Sequence, residues 1–130
     1  MKKFTVIALL ICALFIPQAT MAASYDYPAD TLYSFHRYIT NREFNNAFYC
    51  LSYAYRSKMN YNSWVRGFDS TISSSVSDVY VEYRSSYYTT LNYVLTAVDY
   101  PNYTTRYRGR ATLVWEDGMW RLDEIHNRRI

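Results

Sequence analysis

Alternating apolar and polar positions predict a β-hairpin at the end of the chain, between Arg108 and Asn127. Its turn is Asp117-Gly118, a dipeptide that favours two-residue turns because both residue types tolerate positive φ angles. One face of the hairpin is predicted to carry four cross-strand pairs, since side chains alternate along a strand. The pairs are Trp115 with Trp120, Leu113 with Leu122, Ala111 with Glu124, and Gly109 with His126. The face changes from large and apolar near the turn to small and ionisable at the far end, which indicates a core wall that opens into a cavity.

Helical spacing of apolar residues predicts two helices early in the chain. The first is capped by Asp26 or Asp30, with Pro28 in its first turn. Its apolar face consists of Leu32, Phe35, His36 and Ile39. The second begins at a capping box in residues 40–43 and is predicted to be one continuous amphipathic helix. Its apolar face consists of Phe44, Ala47, Phe48, Leu51, Ala54 and Tyr55.

A third, shorter helix is predicted before the chain changes to strands. Its apolar spacing is that of Tyr61, Trp64, Val65 and Phe68. The Ser- and Thr-rich residues 69–77 are predicted to be a connection. Four strands follow, which are predicted at residues 77–84, 87–99, 104–115 and 119–128.

The register of the second strand leaves two alternatives. A two-residue loop at Pro101-Asn102 would place Asn92 and Val94 on the same face as Trp115. A bulge or a five-residue loop would instead place the more apolar phase of the strand there. That phase consists of Leu91, Tyr93, Leu95 and Ala97.

Helices followed by an antiparallel meander predict an α+β domain. The helices cannot bury their apolar faces on one another alone. We therefore expect the N-terminal helices to pack in the concavity of a curved antiparallel sheet that is half-open at one end.

The first 23 residues have the layout of a secretory signal peptide. Lys2 and Lys3 precede an apolar run, and small residues allow cleavage after Ala22 or Ala23. We predict a signal peptide at 1–23 and a single domain at 24–130. The protein is expected to be exported, either periplasmic or extracellular, without a stable membrane anchor after cleavage.

Charge and cysteine content narrow the classes of partner. The chain has 14 Lys and Arg against 11 Asp and Glu, and loss of Lys2 and Lys3 leaves a nearly neutral domain. We therefore predict no nucleic-acid partner. Cys50 is the one cysteine after the leader, so an internal disulfide is impossible, and we expect a small buried apolar residue there rather than a reactive thiol.

The order of elements resembles the nuclear-transport-factor-2-like superfamily, the cone-shaped α+β fold also called cystatin-like. The resemblance rests on TLYSFHRYIT, REFNNAFYCLS, YNSWVRGF and the closing GRATLVWEDGMWRLDEI, whose strand, acidic-Gly turn and Trp-Arg-Leu look like the final hairpin of exported bacterial members. It covers nearly all of the predicted mature chain. The superfamily includes isomerases, dehydratases and cyclases as well as non-catalytic ligand-binding and dimerisation modules, so the resemblance implies a fold and carries over no activity.

Glu124 and His126 are the catalytic candidates, because they are two residues apart on one strand and Gly109 and Ala111 opposite them leave room. A buried carboxylate beside an imidazole could perform general acid–base chemistry. The alternative is that this end of the hairpin is only the wet rim of the cone. The predicted ligand pocket is lined by Trp115, Trp120, Leu122, Ala111, Gly109 and Tyr38.

His36 is expected to be a core or boundary histidine, and Asp99 could either face the cavity or begin a turn. No cluster has metal-ligand spacing, so we predict no metal and no cofactor. Arg106, Arg108 and Arg110 share one strand face. This row could grip an acidic partner, or it could be a solvated outer face on which Asp123 pairs diagonally with Arg110.

These features favour an exported domain that binds a small molecule or a protein partner without catalysis. The first alternative is a cofactor-free isomerase, dehydratase or cyclase that uses the cone pocket. The second is an envelope-associated module in which the outer sheet face forms a homodimer. Its apolar contacts would be Val114, Ile125 and Leu95 beside the arginines.

Overall fold

The computed structural model describes residues 27–130. The predicted signal peptide at 1–23 and the capping candidate Asp26 lie outside the described residues. In this part of the chain, four helices precede four strands. The helices are α1 (Pro28–Thr40), α2 (Phe44–Tyr49), α3 (Tyr53–Ser57) and α4 (Tyr61–Arg66). The strands are β1 (Thr71–Arg84), β2 (Tyr88–Asp99), β3 (Tyr103–Glu116) and β4 (Met119–Arg129).

The first helix has the predicted apolar face, because Leu32, Phe35, His36 and Ile39 are all buried. Its predicted cap is wrong. Tyr27 occupies the cap position and makes no side-chain capping bond, while Asp30 lies inside the first turn. There the carboxylate still interacts favourably with the positive end of the helix dipole.

The predicted second helix is broken into α2 and α3. Its capping box is absent, since Glu43 occupies the cap position without a side-chain bond. The break lies at Leu51, which forms a parallel bridge with Leu122 of β4. Two backbone hydrogen bonds of 2.8 Å, from Leu122 to Cys50 and from Ser52 to Leu122, hold this segment on the strand. The helix is interrupted because backbone groups of Cys50 and Ser52 form hydrogen bonds with the edge strand β4 instead of continuing the helix.

All four strands form one antiparallel sheet in the order β1-β2-β3-β4. The prediction that residues 69–77 are a connection is wrong, since β1 begins at Thr71. Thr40 explains part of this extension. Its hydroxyl donates to the carbonyl of Ser74 and accepts from the amide of the same residue, both at 2.9 Å. Contact with the end of α1 therefore fixes a Ser-rich segment as a strand, although its local propensity is weak.

The closing hairpin has the predicted register only near its turn. Trp115 pairs with Trp120 and Leu113 pairs with Leu122. Beyond them the register shifts, because Asp123 is an extra residue in β4. Ala111 therefore lies opposite Ile125 and Gly109 lies opposite Asn127, so the predicted pairs with Glu124 and His126 are wrong.

The second strand adopts the more apolar of its two predicted phases. Asp99 pairs with Tyr103, so the turn contains three residues, and Leu91 lies opposite Ala111. The concave face of the sheet, α1 and residues 47–51 together form the hydrophobic core. Its buried members are Leu32, Phe35, Ile39, Ala47, Cys50, Leu51, Leu91, Tyr93, Leu95, Ala111, Leu113, Trp120 and Leu122. The fold is the expected α+β arrangement of helices in the concavity of a curved sheet, and the predicted burial of Cys50 is confirmed.

No helix in residues 27–130 combines the length and the apolar character needed to cross a membrane.

Gly109 is required by the packing of Tyr93 across β3. A Cβ atom at Gly109 would lie 2.2 Å from the ring atom Cε2 of Tyr93 and 2.7 Å from the side-chain oxygen of Asn127. The ring occupies this space because its hydroxyl donates a 2.7 Å hydrogen bond to the same oxygen of Asn127. The glycine therefore makes room for a side chain from the neighbouring strand.

We predict that Gly109→Ala destabilises the domain by about 1–3 kcal/mol, the usual cost of forcing extra volume into a packed site. Urea unfolding of the purified domain measures this change. Tyr93→Leu removes the clashing ring atoms, so the double variant should lose less stability than the sum of the two single variants. Additive losses would show that the ring of Tyr93 is not what excludes a side chain at residue 109.

Candidate functional site

A cavity of about 590 Å³ lies between the helices and the far end of the concave sheet face. Its floor includes Leu95 and Ala97 of β2, Tyr107 of β3, and Ile125 and Asn127 of β4. The remaining lining residues are Phe35, His36, Leu51, Tyr55, Trp64, Gly67, Phe68, Ser70, Thr71, Ser74 and Asp99. The cavity lies at the end of the hairpin where the sequence pattern places an opening in the core wall.

Trp64 of α4 anchors an aromatic wall of this cavity. Asn60 caps the N-terminus of this helix, because its side chain accepts a 3.0 Å hydrogen bond from the amide of Ser63. Trp64 then packs against Phe35 of α1 and against Phe68 just beyond α4, with the ring centroids 6.3 and 5.1 Å apart. Edge and tilted contacts of this kind stabilise aromatic pairs beyond the area they bury. The wall can therefore present a preformed apolar surface to a ligand.

His36 is the most unusual polar group on the cavity wall. It is 5% exposed, and a hydrogen bond of 2.6 Å joins its Nδ1 to the hydroxyl of Ser74. Its Nε2 is buried and has no hydrogen-bond partner among the described residues. Burial lowers the pKa of His36 to about 4, so the imidazole is neutral at pH 7. A neutral imidazole leaves Nε2 either a donor or an acceptor, according to which nitrogen carries the proton.

Tyrosines and an asparagine supply the other polar groups near the cavity floor. Asn127 lines the cavity and accepts the hydrogen bond from Tyr93. Burial raises the pKa of Tyr93, and burial followed by the charge of Glu124 raises the pKa of Tyr55. Both phenols therefore stay protonated at neutral pH and can act as hydrogen-bond donors.

Glu124 and His126 do not face the cavity. They lie exposed on the convex face, where the carboxylate of Glu124 bonds the imidazole of His126 at 2.5 Å, with side-chain exposures of 57% and 69%. This hydrogen bond lowers the pKa of Glu124, so burial does not raise it as predicted. The extra residue Asp123 turns both side chains outward. Their predicted place inside the cavity is therefore wrong.

The six residues predicted to line the pocket lie elsewhere in the fold. Ala111, Trp120 and Leu122 are buried in the core, and Trp115 is 37% exposed beside the ring of Trp120. Tyr38 is partly buried and packs on the core. Gly109 is covered on the concave side by Tyr93. None of the six lines the cavity, because the cavity begins beyond the closely packed end of the hairpin near its turn.

The cavity residues of β4 are the ones that the alternating pattern missed. Ile125 and Asn127 line the cavity instead of Glu124 and His126, and Leu95 also faces inward. The prediction that Ile125 and Leu95 lie on the outer face is therefore wrong. A signal was present in the sequence: Leu122 and Ile125 are three residues apart, which breaks the period of two.

The arginines at 106, 108 and 110 lie on the outer face, opposite the cavity. Arg110 pairs with Glu82 of β1 at 2.9 Å. The predicted partner Asp123 instead accepts a 2.6 Å hydrogen bond from the hydroxyl of Ser52, so the Asp123–Arg110 pair is wrong. Within residues 27–130, no three His, Cys, Asp or Glu side chains are grouped so as to hold a metal ion.

Comparison with known proteins shows a similar fold without a sequence family. No family model and no curated protein matches the chain. The structure is similar to a SEC-C motif-containing protein from Rhodopseudomonas palustris, with a TM-score of 0.67 and 11% identity over 85% of each chain. It is also similar to a protein from Novosphingobium aromaticivorans provisionally named a scytalone dehydratase. That TM-score is 0.59 at 11% identity, over 77% of this chain and 79% of the other. Likeness at this identity shows the fold alone.

We predict that His36 makes the domain less stable in acid. Its pKa is 6.5 in the unfolded chain and about 4 in the fold, so between these values the unfolded state binds a proton that the folded state does not. The free energy of unfolding therefore falls as the pH drops below 6.5, by about 3 kcal/mol at pH 4. Urea unfolding at a series of pH values measures this loss.

The chain provides its own control, because it contains only two histidines. His36→Gln should remove this loss between pH 6.5 and pH 4, whereas His126→Gln, which removes an exposed histidine bonded to Glu124, should retain most of it. Equal slopes for the wild type and His36→Gln would contradict the assignment.

Proposed function

We propose that this protein binds a small, largely apolar molecule in the cavity and performs no chemistry on it. The proposal rests on His36, which lines an aromatic cavity and whose buried Nε2 has no hydrogen-bond partner in the described part of the chain. An unmade hydrogen bond of a buried polar group costs about 1–3 kcal/mol. A ligand that supplies the missing partner would recover part of this cost.

The lining supports a ligand with an apolar body and one or two polar groups. Known small-molecule sites have volumes of about 300–1,000 Å³, and aromatic walls with a few placed polar groups are typical of them. Phe35, Trp64 and Phe68 supply the apolar surface, while His36 and Asn127 supply polar contacts. A neutral imidazole favours an uncharged hydroxyl or carbonyl group over an ion.

Membership of the nuclear-transport-factor-2-like superfamily is part of the same proposal. The order of elements supports it, as does the likeness to the protein provisionally named a scytalone dehydratase. The predicted leader would place this binding domain in the periplasm or outside the cell.

Proton transfer on the bound molecule is a second candidate function, and His36 is the observation that favours it. An imidazole with a pKa of about 4 is present as the free base at neutral pH. Asp99 and Tyr55 also line the cavity and could form hydrogen bonds with a ligand. Glu124 and His126 take no part in this second candidate function, because they lie on the other face of the sheet.

We predict that filling the cavity abolishes binding. Ala97→Phe places a ring where Ala97 now leaves space on the cavity floor. N-phenyl-1-naphthylamine, an uncharged fluorescent probe, should bind the wild type with saturable enhancement and bind this variant at least about 10-fold more weakly, a loss of about 1.4 kcal/mol. Fluorescence titration of the purified domain measures both.

Thr96→Phe is the matched control, because successive residues of a strand point to opposite faces. This variant adds a ring of the same size outside the cavity and should keep the wild-type affinity. Equal binding by all three proteins would contradict a site in the cavity. In a separate test, native mass spectrometry of the wild type after expression should identify any co-purified molecule, and Ala97→Phe should lack it.

A further inference from the structure

A second hollow lies on the convex face of the sheet, on the side opposite the cavity. Its volume is about 260 Å³. Its lining is strongly cationic and comes from β2, β3 and β4. The lining residues are Asn92, Arg108, Gly109, Arg110, His126, Asn127 and Arg128.

Two of these arginines face each other directly across the strands. Arg108 pairs with Arg128 in the register of β3 and β4, and both are exposed. Like charges directly opposite each other in a sheet are destabilising. The neighbour of Arg108 on β2 is Val94, which offers no charge to offset them.

The nearby carboxylates are already engaged with other groups. Glu82 pairs with Arg110 at 2.9 Å, and Glu124 bonds His126. Neither Arg108 nor Arg128 forms a salt bridge within residues 27–130. The hollow therefore contains two adjacent positive charges without a counterion from the described part of the chain.

We propose that this hollow is a binding site for a phosphate-type oxyanion, with Arg108 and Arg128 as its two main ligands. Two guanidinium groups match a dianion in charge, and each presents a planar fork of donors to a pair of phosphate oxygens. The amide of Asn92, on the same face beside Arg110, can add a further donor. The site is independent of the cavity and of the ligand proposed for it.

Inorganic phosphate is the probe that tests this site. We expect phosphate, added at constant ionic strength against chloride, to shift the amide resonances around Arg108 and Arg128 in a saturable way. Arg108→Gln and Arg128→Gln should each weaken this binding at least 10-fold. Arg129→Gln removes the same charge one residue away, at a position that pairs with Tyr107 of the cavity lining, and should bind phosphate as the wild type does.

Thermal unfolding separates binding from a structural role. Without phosphate, Arg128→Gln should be at least as stable as the wild type, because it removes a like-charge contact. With phosphate, the melting temperature of the wild type should rise and that of Arg128→Gln should stay constant. Equal phosphate responses of the wild type and both variants, or a response that chloride reproduces, would overturn the proposal.

Lipid vesicles distinguish the two sources of phosphate. If the anion is a lipid headgroup, the wild type should bind vesicles of phosphatidylcholine that contain phosphatidylglycerol. Added inorganic phosphate should then release the protein from these vesicles. If the anion is a free phosphate, inorganic phosphate should bind the wild type and bind Arg108→Gln more weakly, and the vesicles should not bind. Vesicle binding that Arg108→Gln and Arg128→Gln leave unchanged would contradict a headgroup at this hollow.

Discussion

The bulge at Asp123 decides which side chains of the closing hairpin face the cavity. The strand is held in this shape from outside the hairpin. Ser52 donates a 2.6 Å hydrogen bond to the carboxylate of Asp123, and Leu51 bridges Leu122. The break between α2 and α3 and the bulge in β4 therefore arise from the same contact. A continuous helix through Leu51 could not provide these backbone bonds.

Both candidate sites follow from this one extra residue. On the concave side it turns Asn127 inward, where the residue accepts the hydrogen bond of Tyr93 over Gly109. On the convex side it places Arg128 opposite Arg108. In the register predicted without a bulge, Arg108 would face Asn127 and the two arginines would not pair. The polar cavity floor and the cationic hollow thus share a structural cause.

Local chemistry made much of the fold predictable. The Asp117-Gly118 turn and the Trp115–Trp120 pair are neighbours in sequence, so the alternating pattern specifies them. The face of α1 follows from helical spacing in the same way. The register beyond Leu122 depends on a segment about 70 residues away, so strict alternation along the hairpin does not predict it, and only the three-residue spacing of Leu122 and Ile125 signals a shift. The prediction that Glu124 and His126 face the cavity is wrong for this reason, since a shift of one residue moves both side chains to the opposite face.

His36 shows why a residue that the sequence predicts to be buried cannot be recognised as part of a site from the sequence alone. Its helical position correctly predicts a buried histidine, but a satisfied core residue and an unpartnered cavity residue share that position. The difference arises in three dimensions, where Ser74 of β1 bonds one ring nitrogen and the other has no partner in residues 27–130. Ser74 is held there by Thr40 at the end of α1. The end of one helix therefore fixes both the edge of the sheet and the hydrogen bond that holds the buried imidazole on the cavity wall.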